Sequence, residues 1–263
     1  MSTTRTEQFS IGRVVERAFG AFAGNFVAFA VIAVIFVALP TAAVAWVQRE
    51  FLAAASGATP GLGMFGSPVG WAESLGIQLF HLAMGAAAQA AIIYGVTTSL
   101  AGRKADLGEM LSKGLANWWP IVLISICVAV MSFLGYIALF VPGIMLAIRW
   151  MVSVPAQVME SRGVFASMGR SAELTKGHRW SIFGLLIVSV LILLAIELVV
   201  GLVIAPGVAF MRALNSGAFQ LVAAPVLSLV ITPLFAAGVA SLYFELRSTK
   251  EGVDVDQLAS VFD

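Results

Sequence analysis

Apolar residues along this chain gather into long runs separated by short polar stretches. Six runs read as membrane-spanning helices: Phe26–Gln48, Leu75–Leu100, Ile121–Phe140, Ile144–Met159, Ile182–Ile204 and Leu221–Tyr243. A span needs roughly 20 apolar residues, and all but the fourth reach that length. The fourth is short and holds both Arg149 and Pro155, so it reads as a short tilted span or a partly broken one. Val141-Pro142-Gly143 before it leaves room only for a tight hairpin.

Three stretches between the runs share a second pattern. They are Ile11–Phe26, Leu107–Pro120 and Val164–Trp180. Ile11, Val14, Val15, Ala18, Phe19 and Phe22 fall at helical spacing in the first. Leu107, Met110, Leu111 and Leu115 do so in the second, and Val164, Phe165, Met168 and Ala172 in the third. Each is amphipathic by period, carries a basic residue in a matching place (Arg17, Lys113, Arg170) and leads into an apolar run. Ser10 caps the first, Asp106 with Glu109 reads as a capping box, and Glu109 stands four residues before Lys113. The predicted unit is an interfacial helix followed by two membrane helices. It recurs over residues 11–100, 107–160 and 164–247. The expected fold is therefore an all-α polytopic membrane protein, one domain over residues 1–263, with six transmembrane and three cytoplasmic interfacial helices.

Composition agrees with the pattern. Hydrophobic residues make up 60% and charged residues 11%, against roughly half and a quarter in soluble domains. The basic residues set an orientation. Arg5, Arg13, Arg17, Arg103, Lys104, Lys113, Arg162, Arg170, Lys176, Arg179, Arg247 and Lys250 share one side, and only Arg49 and Arg212 lie on the other. Both termini are thus expected in the cytoplasm. Trp46 and Trp71 on one face, with Trp118, Trp119 and Trp180 on the other, suit interfacial belts. The first apolar run follows a charged leader and is long enough to span, so it reads as a helix; a cleaved signal ending near Ala43 and Ala45 is the lesser reading.

Recognisable chemistry is sparse. The net charge of +1 comes from scattered residues, which leaves no footprint for nucleic acid. Cys127, the one cysteine, lies in an apolar run and reads as a small buried hydrophobe. Two histidines and that cysteine make a poor zinc set, and no metal or cofactor is expected. "GLGMFG" at 61–66 matches a dinucleotide-binding spacing but lies in a loop rich in Ala, Gly, Ser and Pro. Polar residues inside the spans carry more weight, because they are costly there. Counting about 1.5 Å per residue, Arg149 and Glu197 lie at similar depths from the outer face. Gln78 and His81 enter from the same face. They read either as a buried Arg149–Glu197 ion pair or as the lining of a cavity for a headgroup or small solute.

The stretches 141–180 and 241–258 carry a resemblance. They contain Pro142-Gly143, Arg149-Trp150, Glu160, Arg170-Ser171, Leu174-Thr175-Lys176-Gly177, Tyr243, Leu246-Arg247, Glu251-Gly252 and Asp254. This set resembles the membrane domain of bacterial glycerophosphoryl diester phosphodiesterases and its stand-alone relatives. The resemblance implies a six-helix membrane domain, in some members fused to a catalytic barrel. No polar stretch within these 263 residues is long enough for that barrel. His178-Arg179 is similar to the barrel's His-Arg pair, yet it stands at a helix entrance without metal-binding carboxylates, so the phosphodiesterase activity is not carried over. The alternating charges Glu245, Arg247, Lys250, Glu251 and Asp254 are expected to pair with Arg170, Glu173 and Lys176, in a network with Glu160. The function expected is non-enzymatic: binding membrane lipids or a membrane or cytoplasmic protein partner. The alternative is a transporter or channel for a small polar solute. Nothing in the sequence sets an oligomeric state.

Overall fold

A computed structural model describes residues 9–54, 68–213 and 218–252. The described residues form α-helices throughout: α1 (Ile11–Gly24), α2 (Phe26–Ala33), α3 (Leu39–Ala54), α4 (Pro68–Leu100), α5 (Leu107–Ala138), α6 (Phe140–Arg149), α7 (Ser153–Glu160), α8 (Val164–Thr175), α9 (Arg179–Ala213) and α10 (Ala218–Glu251). A π-helical turn, Val34–Ala38, joins α2 to α3 just before Pro40. Six stretches are long and apolar enough to cross a membrane, one in each region expected from the sequence.

The three amphipathic stretches fold in three different ways. The first is a separate helix: Ser10 caps α1 by accepting from the Arg13 N–H at 3.4 Å, and α1 ends at Asn25. The second runs on without interruption into the third span, so Leu107–Ala138 is one helix with Pro120 inside it. The expected helix end at Pro120 does not occur. Continuity keeps the first turns of α5 against α4, where a Cβ on Gly114 would stand 2.8 Å from the Ala87 carbonyl oxygen. Asp106 accepts from the Glu109 N–H at 3.0 Å, but the Glu109 carboxylate takes the Tyr94 hydroxyl at 2.9 Å, so half of the capping box forms. The third stretch, α8, doubles back along α7.

The turn between α4 and α5 follows from one glycine. Gly102 has φ +77, and the Gly102 and Arg103 N–H groups bond the Ser99 and Thr98 carbonyls. This pair of bonds closes a helix whose next residue must be left-handed.

Two hydrophobic clusters hold the bundle. One packs Phe29, Ile32 and Phe36 on the alanine-rich face of α4 (Ala86–Ala91), with Met110, Ile121 and Ile124 of α5 and Ala236, Ala237 and Ala240 of α10. The other joins Val14, Ile148, Val152, Leu174, Ile182, Leu242 and Leu246. Helices α4 and α10 are central, whereas α9 turns Leu191, Leu194, Leu198 and Leu202 outward. In a bilayer such side chains face lipid.

The close approach at Gly114 gives a test. Gly114→Ala is expected to lower the melting temperature in detergent, at a cost of about 1–3 kcal/mol for a contact that backbone cannot relieve. Gly85→Ala, whose Cβ meets nothing within 4 Å, should leave the melt unchanged or raise it.

Candidate functional site

The fourth span breaks after Arg149. Pro155 lacks an N–H and crowds the Met151 carbonyl four residues earlier, which favours a break at this point. Residues 150–152 bridge α6 and α7 with short-range bonds, Trp150 N–H to Ala147 O and Met151 N–H to Ile148 O, each at 3.3 Å. Helix α8 supplies what the break leaves open. The Ser171 hydroxyl accepts from the Val152 N–H at 3.2 Å and donates to the Arg149 carbonyl at 2.9 Å. The Thr175 hydroxyl donates to the Ser171 carbonyl of its own helix at 2.9 Å, with the Arg149 carbonyl 3.3 Å away. Ser167 donates to Gln157 Oε1 at 2.9 Å. Ser167, Ser171 and Thr175 stand four residues apart on one face, and all three are fully buried.

At the other end of that hairpin lies a carboxylate cluster. Glu160 Oε1 accepts from the Tyr243 hydroxyl at 2.7 Å and from Arg170 Nε at 3.0 Å. Arg162 Nε lies 2.7 Å from Glu160 Oε2, a charge contact without hydrogen-bond alignment. Arg170 also donates to Glu251, and Arg247 Nε reaches Glu251 Oε2 at 2.9 Å. Burial works against the charge on Arg170, but its bonds to Glu251 and Glu160 outweigh this and hold the guanidinium protonated more firmly than in free arginine. Glu160 and Arg170 are only 9% and 14% exposed in their side chains, so the pair is shielded from most screening.

The sequence grouped Glu245 with α8, but the structure gives it to α1. Glu245, 1% exposed, accepts from the Ser10 N–H at 3.0 Å, Arg13 Nε at 3.0 Å, Arg13 Nη2 at 2.6 Å and Arg17 Nη1 at 2.7 Å. Arg17 also lies over the Phe244 ring, 5.1 Å from its centroid. Of the remaining expected members, Glu173 offers its backbone carbonyl to Lys250, and Lys176 is exposed on the turn after α8. Asp254 lies outside the described residues. The sequence signal for the α1 clamp was the four-residue spacing of Arg13 and Arg17 on the polar face of α1.

The polar residues of the outer half do not meet among the described residues. Arg149 ends α6 with its side chain exposed and its guanidinium 5.7 Å from the Trp150 ring. A cation in the last turn suits the negative end of a helix. The Glu197 side chain lies outside the described residues, so the expected ion pair has no described partner for Arg149. Gln78 is exposed, and His81 is half-buried beside Phe80, its Nε2 without a hydrogen bond among the described residues. No cluster of three or more His, Cys, Asp or Glu occurs among the described residues.

One apolar groove opens on the flank of the bundle. Its walls are α1 (Val14, Val15, Phe19), α9 (Ile182 to Leu193) and α10 (Leu234 to Leu242), with Met151 at its floor and a volume of about 130 Å³. Sequence periodicity could not find it, since it forms only where three separate helices diverge.

The model for the membrane domain of glycerophosphoryl diester phosphodiesterase matches residues 119–254. The chain belongs to that membrane-domain family. The match runs from Trp119 in α5 through the end of α10, and so contains the closed break, the Glu160 cluster and Glu245, while Arg13 and Arg17 fall outside it. It is a match to a membrane domain and not to a catalytic one. No curated protein and no solved structure matches the chain. As a member of this family with six apolar helices, the chain is a multi-pass membrane protein.

Two outcomes follow from the network. Arg170→Met and Glu160→Leu should each cost about 1–3 kcal/mol, because each takes a bond from a largely buried charge that keeps its other partners, and the double variant should cost clearly less than the sum. A cycle of detergent melts measures this; strict additivity would mean the pair is not coupled. Ser171→Ala should lose about 1–3 kcal/mol by leaving the Val152 N–H and weakening the tie to Arg149 O.

Proposed function

We propose that this protein is a non-enzymatic inner-membrane protein that holds a membrane lipid, with both termini in the cytoplasm. The observation that carries the reading is the groove between α1, α9 and α10. Its lining is apolar apart from Ser189, and Phe19, Val190 and Phe235 at its rim are 40%, 46% and 50% exposed. That rim continues into the lipid-facing leucines of α9, so an acyl chain can enter sideways from the bilayer. Burial alone gives little affinity there, since lipid tails are already in an apolar medium. Packing and the headgroup must supply the rest. The basic residues collected on one side support the orientation.

The transport reading has the broken fourth span in its favour, because broken helices line many substrate sites. In this chain the Ser171 hydroxyl takes up the freed Val152 N–H and Arg149 carbonyl, which favours a structural role for the break.

Gly238 lines the groove, and a Cβ there meets nothing within 4 Å. Purified in mild detergent, the protein should retain phospholipid through size exclusion, as read by native mass spectrometry. Gly238→Leu should fill the groove and lower that retention without lowering the melt. Equal retention in both proteins would remove the groove as the lipid site.

A further inference from the structure

Five of the cations on the polar side of the bundle are held by carboxylates. Arg13 and Arg17 serve Glu245, Arg162 and Arg170 serve Glu160, and Arg247 serves Glu251. The turn from α8 into α9 is different. Lys176, His178 and Arg179 follow one another around Gly177, which has φ +89, and Lys250 of α10 reaches across to donate to the Glu173 carbonyl. Lys250 lies close enough for its charge to act on His178, and Lys176 close enough to act on Lys250. Arg179 Nε is buried with no hydrogen-bond partner among the described residues. The acidic group that acts on Lys250 here is Glu173. Lys176 and Lys250 thus lie together beside Glu173, and the neighbouring Arg179 has a donor left open among the described residues.

This corner stands directly above the groove. The Ile182 N–H bonds the His178 carbonyl at 2.9 Å, and Ile182 is the first α9 residue of the groove wall. Phe9, just ahead of α1, packs on the His178 ring with centroids 5.6 Å apart. The start of α9 adds the partial positive charge of a long helix and its free first N–H groups. Trp180, 73% exposed, marks the level of the headgroups. A cationic corner over an apolar groove is complementary to a molecule with a phosphate at one end and a hydrocarbon chain at the other.

We infer that the lipid held by this protein is an anionic glycerophospholipid, its phosphate taken by Lys176, His178, Arg179 and Lys250 and its acyl chain by the α1–α9–α10 groove. The inference rests on the groove reading above and adds the headgroup class. Burial and the charge of Lys250 hold the His178 imidazole below the usual histidine range. A bound phosphate opposes that charge and should move its titration upward.

The test uses the full chain in mild detergent, titrated with dioleoyl phosphatidylglycerol or dioleoyl phosphatidylcholine and followed by native mass spectrometry. The expected result is a preference for phosphatidylglycerol of about tenfold or more, on the basis of two lysines at a charged surface. Lys176→Gln with Lys250→Gln should abolish the preference, and Lys176→Gln alone should reduce it, with melts near that of the wild type. The His178 titration followed by NMR should rise with phosphatidylglycerol and stay put with phosphatidylcholine. Equal binding of the two lipids, still lowered by Gly238→Leu, would overturn the headgroup assignment and leave the groove reading standing. A preference that survives in both lysine variants would place the phosphate elsewhere and overturn it too. If millimolar inorganic phosphate alone raises the His178 titration and displaces no lipid, the corner is a free-phosphate site and the lipid assignment falls. If neither lipid binds, both readings fall.

Discussion

A backbone that breaks inside an apolar surrounding must find partners for the groups it frees, because no water is there to take them. That requirement organises the second half of this protein. The fourth span comes apart just ahead of Pro155, and the Ser171 hydroxyl takes up the backbone groups freed there, with Thr175 close by. To deliver them, α8 has to lie against α6 and α7. Once α8 is there, Arg170 on the same helix meets Glu160, and Tyr243 and Glu251 of α10 are drawn into the same set of bonds. Arg149, Glu160, Arg170, Ser171, Tyr243, Arg247 and Glu251 are scattered over the sequence, yet they converge on this one junction.

The parts of the fold readable from the sequence are those that depend on local length and period. The apolar runs gave the six spans, and Ser10, Asp106 and Pro155 marked two helix starts and a break. The misreadings have a common cause. Pro120 looks like a terminator locally, but α5 continues because its first turns are already packed on α4 through Gly114. Ser167, Ser171 and Thr175 look like the wet face of an amphipathic helix, and only the fold shows that this face is dry. Glu245 looks like a partner for nearby basic residues of α8, but its partners Arg13 and Arg17 come from the far end of the chain. In each case a contact between distant segments outweighed a pattern within one segment.

Candidate chemistry was harder to read than fold for the same reason. Arg149, the most conspicuous charge in the sequence, contributes to the described structure through its carbonyl oxygen, an atom every residue has. The groove and the cationic turn above it use ordinary leucines, valines and lysines. Their meaning comes from the divergence of α9 from α10, which no single helix records.

The end of α10 is gripped from two directions, and this limits how the bundle can move. Tyr243 and Glu251 face the α7–α8 hairpin, while Glu245 faces α1. Turning α10 about its axis by even one residue, about 100°, would strip both sets of bonds together. Sliding it by one helical turn would bring Ser241 or Thr249 to the place of Glu245, and neither carries a charge for Arg13 and Arg17. The helix is keyed like an axle between two brackets, unable to rotate or ratchet without releasing both. Among the described spans, α9 has the smallest buried share and none of the side-chain bonds that key α10.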